Sequence, residues 1–120
     1  MVWAYEVTTR KLYHNNVLIY SNGYAGRGEH KDKPTSEHIS NWGPIPRGKW
    51  RINGHTNSKG PLTIVLTPVA GTHTYGRTDF RIHGDSISNP GTASEGCIIV
   101  GYNARLAIVN SGDSDLEVVW

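Results

Sequence analysis

Apolar residues recur at alternate positions in short runs along most of this chain, a period of two that predicts strands rather than helices. From Val2 to Val7 the alternation puts Trp3, Tyr5 and Val7 on one face. Lys11-Leu12-Tyr13 and Val17-Leu18-Ile19-Tyr20 flank His14-Asn15-Asn16, and because Asn tolerates positive φ the trio predicts a hairpin turn. The polar stretch from Gly23 to Asn41, punctuated by Gly26, Gly28 and Pro34, predicts a long surface loop of the kind that is often functional. Trp50 to Ile52 and Leu62 to Thr67 predict further strands, rich in β-branched residues and bounded by Gly and Pro. Asp79-Phe80-Arg81-Ile82-His83 alternates again: Phe80 and Ile82 point to the core, so Arg81 and His83 share the opposite face. The one helical stretch runs from Ala104 to Val109 with Asn103 as its N-cap, and Leu116 to Trp120 closes the pattern as a strand. The fold expected is mainly β with one or two short helices.

Size narrows the organisation to one domain. A chain of 120 residues fits a single core burying somewhat over ~60% of its unfolded surface, so residues 1–120 are expected to form one unit, and a monomer. The net charge of +2 is too weak to argue for nucleic acid, and no run of five or more Lys or Arg marks a nucleic-acid surface. The longest apolar runs fall far short of the ~18 residues of a membrane span. Met1 to Glu6 lacks a basic segment and an apolar core, so no secretory signal is expected. With a single cysteine no intrachain disulfide can form. Neither a metal nor another cofactor is expected. His73, Asp79, His83, Asp85 and Cys97 lack the spacing of a metal motif, and Gly23 to Gly28 lacks the Gly-Lys-Ser/Thr end of a phosphate loop.

The chemistry concentrates in two segments, Arg81-Ile82-His83-Gly84-Asp85 and Ser94-Glu95-Gly96-Cys97-Ile98. A thiol that attacks a carbonyl needs a nearby base and an oxyanion site. Cys97 can supply the thiol, His83 the base, and the backbone N–H groups of Gly96 and Cys97 the oxyanion site. Gly96 frees the backbone for a tight turn or a close approach. Asp85 is placed to orient the imidazole, or else to cap its own turn at Ser86. Ser94 either contacts substrate or stabilises the loop, and Arg81 either meets an anionic substrate group or solubilises a strand. A Cys–His pair is expected to lower the thiol pKa enough for alkylation below pH 7.

These residues resemble a family. His83-Gly84 with Ser94-Glu95-Gly96-Cys97 resembles the His followed by Ser/Thr-His-Gly-Cys of the L,D-transpeptidases, the YkuD-like peptidoglycan enzymes. Gly43-Pro44-Ile45-Pro46-Arg47-Gly48-Lys49-Trp50 is similar to the segment preceding a strand in those enzymes. Lys11 to Gly23 is similar to their opening hairpin, and Gly101-Tyr102-Asn103-Ala104-Arg105-Leu106 to the helix start after their cysteine. The compact form is most similar to the branch used as type VI secretion effectors against rival cell walls. Glu95 stands where the wider family has a histidine, Ile99 where many relatives carry Arg or Asn, and the loop between His83 and Ser94 is shorter.

The resemblance implies an antiparallel β-sandwich or partial barrel. It also implies a cysteine-dependent acyl transfer or hydrolysis on peptidoglycan stem peptides, L,D-carboxypeptidase or L,D-transpeptidase exchange. Cys97, His83, Asp85 and Gly96 would form the catalytic set, with Ser94, Arg81 and Glu95 near substrate; in the wider family a backbone carbonyl often orients the histidine, an alternative to Asp85 in that role. An immunity protein and a secretion apparatus are the implied partners, with synthesis in the cytoplasm and action in the periplasm of a target bacterium. Two other classes stay open. One is a non-catalytic cell-wall binding module using Trp3, Trp42, Trp50 and the tyrosines as sugar-stacking faces. The other is a phage or secretion-tail component on an ancestral fold.

Overall fold

The computed structural model describes residues 2–120. Nine strands form one sheet: β1 (Trp3–Glu6), β2 (Lys11–His14), β3 (Val17–Tyr20), β4 (Tyr24–Ala25), β5 (Gly48–Thr56), β6 (Thr63–Pro68), β7 (Arg81–His83), β8 (Ile98–Ile99) and β9 (Asp115–Val119). Their spatial order is β3-β2-β1-β9-β5-β6-β7-β8-β4, and the sheet curls into a half-barrel with one helix, α1 (Tyr102–Ser111). The mainly β fold expected from the alternating pattern is the one observed, as a partial barrel. Neighbours are antiparallel except for β1 with β9 and β7 with β8.

The hairpin forms where the Asn pair sits. Asn15 and Asn16 both take positive φ, 50° and 69°, the left-handed geometry that joins two twisted strands by two residues. Trp3, Tyr5 and Val7 are buried on one face of the first strand, as the period of two requires. They join Leu12, Trp50, Ile64, Ile82, Ile98, Leu116 and Val118 in the core, to which α1 adds Ala104 and Ile108. Each such apolar side chain removed from water contributes about 1.5–3 kcal/mol.

Two local expectations are corrected. The stretch from Gly23 to Asn41 is not a free surface loop. It carries β4, which pairs with β8 at Tyr24–Ile99 and Ala25–Ile98, and two 3-10 turns, Gly28–His30 and Pro34–Ser36. Its backbone polar groups are satisfied at long range: Ala25 N–H donates to Asp32 Oδ1 at 2.9 Å and Gly26 N–H to Ser94 Oγ at 2.9 Å, while Arg27 N–H donates to the Trp42 carbonyl at 2.7 Å. Those bonds let Pro34, Ser36 and Glu37 be buried. The helix begins at Tyr102 with Gly101, not Asn103, as its cap. Arg105 sets that start, donating its N–H to the Gly101 carbonyl and its Nε to the Val100 carbonyl. Gly112, left-handed at φ 73°, ends the helix.

Candidate active site

The parallel pairing of β7 and β8 assembles the site. Ile82 lies opposite Ile98 and His83 opposite Ile99, so Cys97, one residue before β8, stands level with Arg81. Ile82 and Ile98 are fully buried in the core. Alternation therefore turns Arg81, His83 and Cys97 to the other face together. There they line one cleft of about 430 Å³ with Lys59, Arg77, Asp79, Glu95, Ser40 and Asn41 among its walls.

His83 is buried and its ring is anchored by backbone. Nδ1–H donates to the Gly84 carbonyl at 3.0 Å, which leaves Nε2 as the proton acceptor. Burial pushes the imidazole below its ordinary value, the Gly84 carbonyl pulls it back up, and Lys59, Arg105 and Arg81 push it down further. The ring is neutral at neutral pH.

Asp85, expected beside the imidazole, takes the other position open to it, as a turn cap. Its carboxylate accepts Tyr24 Oη–H at 2.5 Å, Ser86 N–H at 2.8 Å and Gly91 N–H at 3.0 Å, pinning the loop after β7. Partial desolvation pushes this carboxyl up, but the bonds from Tyr24, Gly91 and Ser86 outweigh it and hold it below the ordinary range. Asp85 faces an adjoining cleft of about 470 Å³ that meets the first at Lys59.

Cys97 is half-buried, its Sγ–H directed at the Asp79 carbonyl at 3.6 Å. Burial pushes the thiol up; an N–H of Arg81 and the charges of Arg81, Lys59 and Arg77 pull it down without cancelling that rise. Burial thus runs against the expected acidic thiol, holding the Cys97 thiol above and the His83 imidazole below their ordinary values. Desolvation acts on both members against their charged forms.

Ser94 is fully buried and lies under the site rather than in it. Its hydroxyl donates to the Cys97 carbonyl at 2.6 Å and accepts Gly26 N–H at 2.9 Å and Gly96 N–H at 3.0 Å. Engaging the Gly96 N–H in this way leaves the Cys97 N–H as the remaining member of the expected backbone oxyanion pair. Glu95 lies at the mouth, 3.8 Å from Arg27.

Sequence reasoning missed Arg77. This side chain from the turn before β7 is buried and donates to the carbonyls of Glu37, Pro44 and Gly43. Only the apolar burial of Phe80 beside it, over whose ring its guanidinium lies at 5.0 Å, hinted that the turn is packed. Among the described residues no three His, Cys, Asp or Glu side chains converge as metal ligands, and no helix is long and apolar enough to cross a membrane.

A family model for the Tlde1 domain matches residues 20–118. The chain belongs to the Tlde1 domain family. That family is one of type VI secretion effectors, and its match runs from the last residue of β3 into β9, enclosing every residue of the cleft. No curated protein and no solved structure matches the chain. As a Tlde1 domain, the protein falls in a secreted-effector class, and the cleft is the place where an effector's chemistry would reside.

Proposed function

We propose that this Tlde1 domain is a cysteine-dependent acyl transferase or hydrolase acting on peptidoglycan stem peptides, delivered to the periplasm of a target bacterium. The observation that carries this reading is the common face of Cys97 and His83 in one cleft, with the Gly84 carbonyl fixing the imidazole tautomer.

Burial, which disfavours both thiolate and imidazolium, supports one order of events. As Cys97 Sγ attacks the carbonyl of the L,D-linked bond, its proton passes to His83 Nε2, so thiolate develops only during attack. The Cys97 N–H faces the developing oxyanion. Collapse of the tetrahedral intermediate breaks the carbon–nitrogen bond, and His83 returns the proton to the leaving amine of the D-amino acid. The thioester left on Cys97 is resolved by water, giving an L,D-carboxypeptidase, or by another amine, giving exchange or crosslinking. Arg81 and Lys59 supply positive charge for a substrate carboxylate. Glu95 stands at the rim near the incoming peptide.

The wall-binding alternative loses two of its expected stacking faces. Trp3 and Trp50 lie in the core, 1% and 0% exposed, while Trp42, Tyr75 and Tyr102 are exposed.

Mass spectrometry of tetrapeptide muropeptides incubated with wild type and Cys97→Ala tests the proposal. Loss of the terminal D-amino acid, or its replacement by an added one, is expected with wild type alone. Turnover retained by a folded Cys97→Ala would reject the nucleophile.

A further inference from the structure

Arg77 is a buried cation, 8% exposed, with no carboxylate within ion-pair distance among the described residues. An uncompensated buried charge is costly, so such groups are retained where something opposes them. On one side its guanidinium is tied to main chain: Nη1 donates to the carbonyls of Glu37 and Pro44 and Nη2 to that of Gly43, the latter two at 2.8 Å. On the other side it is lodged against Gly96. A Cβ built on Gly96 would lie 2.2 Å from Nη2, and the residue's φ of +131° is itself in the region that favours glycine. The guanidinium thus occupies the space a side chain would take at the position immediately before the thiol, and it lines the same cleft as Cys97.

We infer that Arg77 is the positioning residue of the nucleophile: it clamps the Gly96–Cys97 step against the loop of residues 37–44 and holds a fixed positive charge for the sulfur as it becomes anionic. This rests on Cys97 being the nucleophile. Other groups also face the thiol: Asp79 and Arg81 at the start of β7, His83 further along it, Lys59 from the β5–β6 turn and Glu95 from the cysteine's own loop. Arg77 differs from them in being held on three carbonyls. Glu37 also faces the guanidinium and favours its charged form against the cost of burial, while its carboxylate is engaged by Arg47 Nε at 3.2 Å.

The experiment is the pH profile of Cys97 alkylation by iodoacetamide in wild type, Arg77→Met and Arg77→Lys, with folding followed by circular dichroism. Arg77→Met should raise the alkylation midpoint by about one pH unit, which is about tenfold slower reaction at a fixed pH below it. Arg77→Lys should keep most of the wild-type midpoint, since the charge stays, while melting earlier because a lysine cannot bridge three carbonyls. A folded Arg77→Met with the wild-type profile would overturn the inference and leave Arg77 a purely structural clamp. If Arg77→Met does not fold, Gly96→Ala displaces the guanidinium from the opposite side: a raised midpoint supports the role and an unmoved one rejects it. Alkylation reads the thiol and not turnover, so failure here is distinct from failure of the nucleophile assignment, which Cys97→Ala decides.

Discussion

Ser94 holds Cys97 from beneath: its hydroxyl donates to the cysteine's carbonyl at 2.6 Å while its oxygen accepts the N–H groups of Gly26 and Gly96. One buried hydroxyl thereby joins the Cys97 loop to the end of β4.

Ser94→Ala strands two N–H groups and weakens the support of one carbonyl in a site without solvent. Leaving buried polar groups unpaired costs about 1–3 kcal/mol each, so the variant should lose at least about 2 kcal/mol in urea unfolding. Unchanged stability with a raised KM would instead make Ser94 a substrate contact.

The thiol of the free enzyme should titrate above the ordinary cysteine range, because burial outweighs the nearby cations. Iodoacetamide should therefore react more slowly at pH 7 than with a free cysteine, and the rate should keep rising with pH beyond the point where a free thiol levels off. Rapid alkylation below pH 7 would mean a preformed thiolate–imidazolium pair.

His83 links folding to pH. Its folded pKa lies below the ordinary 6.5, so below that value the unfolded chain binds a proton that the native state does not. Its contribution to stability is full above about pH 6.5 and is lost as pH falls from there towards the folded pKa. His83→Gln should flatten the fall in stability between about pH 6.5 and pH 5, measured by urea midpoints, relative to wild type. The same substitution should lower turnover by ~10²-fold or more as the general base is removed. An unaltered slope would mean that the imidazole is protonated as readily in the folded state as in the unfolded chain.

Asp85→Asn should leave the imidazole in place, since Gly84 provides the Nδ1 partner. The expected loss of turnover is far smaller than for His83→Gln, accompanied by faster amide exchange at Ser86 and Gly91 as their acceptor weakens. Equal losses for the two variants would restore Asp85 to the catalytic set.

Much of this architecture was legible in the residues because strand periodicity is local. Trp3, Tyr5 and Val7, the Asn15-Asn16 turn and the Phe80/Ile82 face need only their neighbours to be read. What escaped depends on contacts far apart in the chain. The 23–41 stretch is pinned by Ser94 and β8, and Arg77 is held by carbonyls, which carry no side-chain identity to find in a sequence. The partner of His83 is also a peptide oxygen, which the family resemblance offered as the alternative to the carboxylate of Asp85. Thiol acidity was misjudged for a related reason: proximity to a histidine can be inferred from spacing, but the degree of desolvation cannot.

The placement of β9 between β1 and β5 has a kinetic consequence. Trp3 pairs with Leu116, residues at opposite ends of the sequence, and without β9 the sheet divides into β3-β2-β1 and the five strands that carry the cleft. Contacts so distant along the chain are slow to close, so the two halves should wait, each with an open edge, until β9 arrives to zip them together. The cleft then becomes rigid late in folding, when the last long strand docks into the middle of the sheet.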